Sequence, residues 1–226
     1  MHPRRRARIA ARVTDVETYR TRGYLPLPGL FPPEVALAFY NRMQADLAAA
    51  GRPLAKFAVT GPLLRRPALE VYAVQYAPML TFLWGLTPRV AQAVGCELLP
   101  TYAYFRAYQK GDVCRVHSDR PACEHSLSLT LAYGDGEPWA LSVETERTDP
   151  RAEVSDDFGG RPYGSVAMRP GDGVAYQGTH HRHGRLEPNP NSWSAHLFLH
   201  WVEKNGRYGE HAFDRPALER AAQAKA

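Results

Sequence analysis

The sequence predicts a mainly β domain, a jelly-roll core buttressed by helices on its N-terminal side. Three observations carry that prediction. Helical periodicity is concentrated in the first hundred residues. From Thr101 onward the chain turns to short runs of strand formers, some strictly alternating. Turns rich in Gly and Pro separate those runs: 134–136, 159–160 and 170–173. Helices first and many short strands after is the pattern of a β-sandwich or jelly roll with a helical layer.

The elements follow in order. Residues 1–13 carry Arg4, Arg5, Arg6, Arg8 and Arg12 and read as a frayed, solvated tail. No apolar stretch follows, as a secretory signal would require; an organelle transit peptide is the rival reading. Residues 23–31 read as a short strand entering a turn. Pro32-Pro33-Glu34 then starts a helix, with proline in its first turn and an acid at the positive dipole end. That helix continues over 35–50, with Leu37, Tyr40, Met43 and Leu47 at helical spacing, and Gly51 closes it. A second helix covers 78–94, with a break or kink expected near Pro88. Strands are expected at 102–108, 126–131, 139–143, 165–168, 173–176 and 195–202. In 126–131 three leucines face one side. The long loop 144–164 is expected to be a substrate-facing lid. The 226 residues thus form one domain: basic tail 1–13, helical support region 14–100, jelly-roll core 101–203 and C-terminal tail 204–226.

Composition narrows the function. Hydrophobic residues make up 44% of the chain, a globular rather than disordered composition. The longest mostly apolar stretch, 76–86, is far short of the roughly 20 residues that span a bilayer, so no membrane partner is expected. The net charge of +5 sits largely in the tail. The interior shows no arginine–aromatic ladder, so nucleic acid is not an expected partner either. Cys96, Cys114 and Cys123 form no C-x-x-C pair, which argues against a disulfide framework or zinc knuckle. A reducing cytoplasm fits best.

His117-Ser118-Asp119 is the first feature with chemistry in it. Residues i and i+2 on a strand share a face, so both side chains can grip one ion. Alone the pair is weak: nine His and ten Asp in 226 residues give roughly 0.4 such pairs by chance. A second cluster, 179–185, supplies His180, His181 and His183 as candidates for a third ligand. It follows a Pro-Gly-Asp turn and a strand, which a jelly roll can return beside the strand bearing His117. Its bland reading is a solvated loop or adventitious metal binding. Two histidines and one carboxylate on one octahedral face form the facial triad of non-haem iron(II) sites.

At these residues the sequence resembles a family, the iron(II)- and 2-oxoglutarate-dependent oxygenases, in their prolyl-hydroxylase-like branch. The resemblance rests on the aromatic run 102–108, the H-x-D-R-P-A-C-E run 117–124, Pro170-Gly171-Asp172, Tyr176-Gln177-Gly178, His183 and the final strand 196–202. It implies a double-stranded β-helix core, with iron(II) held by His117, Asp119 and His183. His181 and then His180 are the alternatives to His183. It further implies 2-oxoglutarate and O2 as co-substrates, and hydroxylation of an unactivated C–H bond with release of succinate and carbon dioxide. Asp119 points to hydroxylation over halogenation, because related halogenases carry a small residue there.

Many members anchor the far carboxylate of 2-oxoglutarate with a cation about ten residues past the distal histidine. Here 191–194 offers none. Arg185 is the substitute candidate, with Arg106 and Arg120 behind it, because a guanidinium can grip a carboxylate bidentately. Tyr108 and Tyr102 are candidates to hydrogen-bond the same group; for Arg106 and both tyrosines, plain strand packing is the competing reading. Arg120 and His196 are candidates to face the substrate. That substrate is expected to be a small molecule or amino acid. A peptidyl prolyl-type hydroxylase and a non-catalytic jelly-roll binding protein are the alternatives. Cys114 and Cys123 read as small core residues, and His200 as a core histidine.

Overall fold

The computed structural model describes residues 15–149 and 152–223. The basic tail lies outside the described residues. Helix α1 (15–22) leads into β1 (Tyr24–Leu27), α2 (Pro33–Ala49), β2 (Ala58–Val59), β3 (Ala68–Tyr72) and α3 (Met79–Val94). Eight further strands follow: β4 (Leu98–Gln109), β5 (Cys114–His117), β6 (His125–Tyr133), β7 (Leu141–Glu144), β8 (Tyr163–Val166), β9 (Gly173–Tyr176), β10 (His183–Arg185) and β11 (Trp193–Glu203). A 3₁₀ turn (Gly209–Asp214) and α4 (Arg215–Gln223) come last.

The strands form two antiparallel sheets of a jelly roll. The large sheet runs β1-β9-β6-β11-β4-β3-β2 and the small one β5-β10-β7-β8. Strand alternation divides the large sheet's chemistry between its faces. Leu127, Leu129 and Leu131 of β6, Phe105 of β4 and Leu197 and Leu199 of β11 join Met43 and Leu83 of the helices in the main core. Each such buried leucine stabilises the fold by about 1.5–3 kcal/mol. The intervening residues face the small sheet: Tyr104, Arg106 and Tyr108 on β4, Ser126 and Thr130 on β6, and His196, Phe198 and His200 on β11. Ser126 meets His200 at 2.8 Å and Thr130 meets His196 at 3.2 Å, polar partners inside the roll.

Several expectations need correction. Helix α3 runs unbroken through Pro88. That proline is exposed, so the carbonyl it leaves without a backbone partner can bond to water. The support region is more than helices, since it contributes β1, β2 and β3 to the large sheet. Residues 209–223 fold into a turn and a helix rather than a tail. Strand β8 is an edge strand starting two residues earlier than expected, paired through Leu141↔Val166. The loop expected to be a lid is pinned. Val116 and Ser155 exchange backbone hydrogen bonds of 2.9 and 3.0 Å. At the loop's ends, buried Glu144 pairs with Arg161 and Arg182.

Candidate metal centre and co-substrate pocket

Strands β5 and β10 pair antiparallel with His117 opposite His183. Their imidazole centroids lie 4.5 Å apart. Asp119 stands just past the end of β5, not on it, and its backbone N–H donates to the Gly178 carbonyl at 2.9 Å. His117 Nε2 is 3.5 Å from one Asp119 oxygen, and His183 Nε2 is 3.5 Å from the other. Each Nδ1 faces a carbonyl: Arg115 at 2.7 Å for His117, His181 at 3.0 Å for His183. Each Nδ1–H can donate to its carbonyl, which leaves both Nε2 atoms facing the carboxylate for an ion.

Two glycines permit this approach. A Cβ at Gly178 would lie 2.4 Å from Asp119 Oδ2, and one at Gly184 would lie 2.6 Å from the Cys114 carbonyl oxygen. The electrostatics are those of a coupled buried cluster. Burial pushes His117 down, and His183 beside it adds to that. Burial opposes charge on His183 too, but Asp119 overrides it and holds that histidine up. Asp119 stays well below the usual carboxylate range because the two histidines outweigh its burial. The donor set of two imidazoles and one carboxylate fits an octahedral ion with positions left open.

His181 and His180 point elsewhere. His181 Nδ1 meets the Glu144 carbonyl at 2.8 Å, and His180 Nε2 meets the Tyr208 hydroxyl at 3.3 Å.

Beside the three donors lies a narrow cavity lined by Tyr104, Arg106, Tyr108, Tyr176, Arg185 and Phe198, among others. Arg185, two residues from His183 on β10, is 1% exposed. It donates to the Trp139 carbonyl, stacks 4.7 Å over the Trp139 ring and faces His196 Nδ1 at 3.3 Å. Among the described residues no carboxylate pairs with it. Arg106 differs: Glu70 takes its guanidinium at 2.6 Å, and it also donates to the Tyr108 hydroxyl at 3.2 Å. His196 lies behind Arg185, held well below its usual pKa by burial and then by that cation.

Tyr102 and Arg120 also lie outside this cavity. Tyr102 stacks on His200 at 4.5 Å, with its hydroxyl 3.1 Å from Cys123 Sγ. Arg120 sits 4.2 Å over the Tyr102 ring and forms a bidentate pair with Asp214 at 2.7 and 3.0 Å. His200 is buried, and burial takes its pKa down to about 4. Cys114 and Cys123 are buried free thiols.

Sequence reasoning missed four residues here. Tyr176 was visible only as part of Tyr-x-Gly. Tyr104 and Phe198 lie two residues from candidates on their own strands, so alternation was a usable signal. Glu70 had none, because β3 shows no distinct strand pattern.

No protein-family profile and no curated protein matches the sequence. Solved structures do match. AviO1 from Streptomyces viridochromogenes is 21% identical, covering 86% of this chain and 96% of its own, with a TM-score of 0.65. The epimerase SnoN from nogalamycin biosynthesis, in complex with Fe3+, alpha ketoglutarate and nogalamycin RO, is 14% identical. That match covers 86% of this chain and 84% of SnoN, with a TM-score of 0.65. A Pseudomonas putida prolyl-4-hydroxylase is 14% identical over 84% of this chain and 98% of its own, with a TM-score of 0.55. The fold is therefore the jelly roll found in oxygenases that use iron and 2-oxoglutarate.

Proposed function

We propose that the protein is an iron(II)- and 2-oxoglutarate-dependent oxygenase that hydroxylates a C–H bond of a small molecule. One observation carries the reading: three convergent donors, His117, Asp119 and His183, border a cavity that also holds a buried arginine with no carboxylate partner among the described residues. A buried cation without a counter-ion costs several kcal/mol. An anionic ligand offsets that cost, and 2-oxoglutarate brings a carboxylate to it.

Each residue has a stated job. His117 and His183 present Nε2 to the ion, their tautomers set by the Arg115 and His181 carbonyls. Asp119 supplies the carboxylate, steadied by the Gly178 carbonyl. Arg185 receives the far carboxylate of 2-oxoglutarate. Arg106 and Tyr108 line the same pocket, with Glu70 neutralising Arg106. When bound, iron(II) with 2-oxoglutarate and O2 supplies C–H oxidation coupled to release of succinate and carbon dioxide. Tyr104, stacked on Phe198, and Tyr176 narrow the cavity and exclude water from it.

SnoN, in complex with nogalamycin RO, favours a small molecule; the prolyl-4-hydroxylase keeps a peptide as the second reading. Free thiols fit a cytoplasmic setting, and among the described residues no helix is long and apolar enough to cross a membrane.

The test is an anaerobic titration of metal-free protein with iron(II) and 2-oxoglutarate, following the weak visible charge-transfer band of the chelate. The band is expected in the wild type and absent in His117→Ala. Folded, iron-loaded protein that gives no band would remove 2-oxoglutarate from the assignment and leave a binding module.

A further inference from the structure

His125 and Ser126 are neighbours on β6, so their side chains leave opposite faces of the large sheet. Ser126 turns toward His200 and Asp119. His125 turns toward α1 and the turn between α3 and β4, where a second set of donors meets. Cys96 Sγ is 4.0 Å from His125 Nε2, and Glu203 Oε1 is 3.6 Å from the same nitrogen. All three donor atoms lie within 4.8 Å of one another.

These separations are close to the 3.5 Å spacings of the His117–Asp119–His183 cluster. A tetrahedral ion with bonds of about 2.0–2.3 Å sets its donors roughly 3.3–3.6 Å apart, so small side-chain movements close the site. The histidine has an orienting partner: Tyr19, fully buried, puts its hydroxyl 2.7 Å from His125 Nδ1. In the tautomer where Nδ1–H donates to Tyr19, Nε2 offers its lone pair between the thiol and the carboxylate. The backbone N–H of Glu203 donates to Glu124 at 2.8 Å, which fixes the end of β11. The Glu203 side chain is 43% exposed, which leaves a solvent side for a fourth, water ligand.

We infer that Cys96, His125 and Glu203 form a second metal site for a zinc-class divalent cation, oriented by Tyr19 and on the sheet face opposite the proposed iron centre. Thiolate, imidazole and carboxylate together select zinc or cobalt over magnesium and calcium. The ion would join the α3–β4 turn, the start of β6 and the end of β11. Burial, and Glu203 after it, hold the Cys96 thiol up at about 12. Metal must therefore displace a proton, and binding strengthens as pH rises.

The test is a titration of the full-length, chelator-stripped protein with cobalt(II) under anaerobic conditions. A thiolate-to-cobalt charge-transfer band in the near ultraviolet is expected at one equivalent, and is expected to persist in His117→Ala, where the other site is disabled. Cys96→Ser should abolish it. Tyr19→Phe, which keeps the ring, should weaken cobalt binding by about 10–100-fold. Folded wild-type protein that shows no such band at saturating cobalt overturns the site. So does a band that survives Cys96→Ser, which would move the thiolate to Cys123 beside Asp119.

Discussion

Arg185→Met separates a ligand-binding cation from a structural one, because the two roles predict different signs for stability. Methionine matches the length of the aliphatic stem and removes the charge. The variant leaves the Trp139 carbonyl without its donor, a loss of about 1–3 kcal/mol. It also removes a 1% exposed guanidinium that has no carboxylate partner among the described residues, a gain of several kcal/mol. The net effect on unfolding in urea is near zero or stabilising. Ligand binding goes the other way. Truncating one partner of a buried charge pair costs about 2–5 kcal/mol, which is roughly 30- to 4,000-fold in Kd. The anaerobic chelate band should therefore require at least 30-fold more 2-oxoglutarate in Arg185→Met. Arg106→Met is the contrast: it strands Glu70, so it should destabilise the fold. A destabilised Arg185→Met that binds 2-oxoglutarate like the wild type would refute the assignment of the anion seat.

Other outcomes follow from the same geometry. His183→Ala should abolish iron binding, while His181→Ala, whose ring faces the Glu144 carbonyl, should retain it; equilibrium dialysis with iron(II) under anaerobic conditions decides. Gly178→Ala places a methyl 2.4 Å from Asp119 Oδ2, so it should weaken metal binding by at least tenfold while the protein stays folded by circular dichroism. Leu129→Ala removes a fully buried side chain between sheet and helices and should cost about 2–5 kcal/mol in chemical denaturation.

The fold class was legible because strand alternation and turn chemistry are local. Leu127, Leu129 and Leu131 announced a one-sided strand, and the helices pack against that side. Strands β2, β3 and β10 were not legible as strands. They have two to five residues each and hold their places through partners distant in sequence, such as His183↔His117. Spacing identified His117 and Asp119, but not the reason Asp119 meets His183. That reason is the absence of Cβ atoms at Gly178 and Gly184, a property of how two segments approach in space. Glu70, which neutralises Arg106, lies on a strand that only tertiary pairing defines.

The two ends of the roll differ in chemistry, and on the proposed function that difference divides the ligands between them. Tyr102, Tyr104, Arg106 and Tyr108 all face inward from β4, and antiparallel β11 sets Phe198 beside Tyr104 and His196 beside Arg106. The Arg106 and Arg185 end carries cations; the Tyr102 end carries stacked rings, Tyr72, Tyr102, Tyr104 and His200. There Arg120, which sits over the Tyr102 ring, is already paired with Asp214. A dicarboxylate gains from the first end and little from the second. On the proposed function, 2-oxoglutarate takes the cationic end, and the aromatic end is left for the substrate, whose ring or apolar face can stack there. Tyr102→Ala should therefore leave the chelate band and slow uncoupled 2-oxoglutarate consumption within about threefold of wild type, a margin of under 1 kcal/mol. Loss of the band in a folded Tyr102→Ala protein would return Tyr102 to the co-substrate pocket and break the division between the two ends.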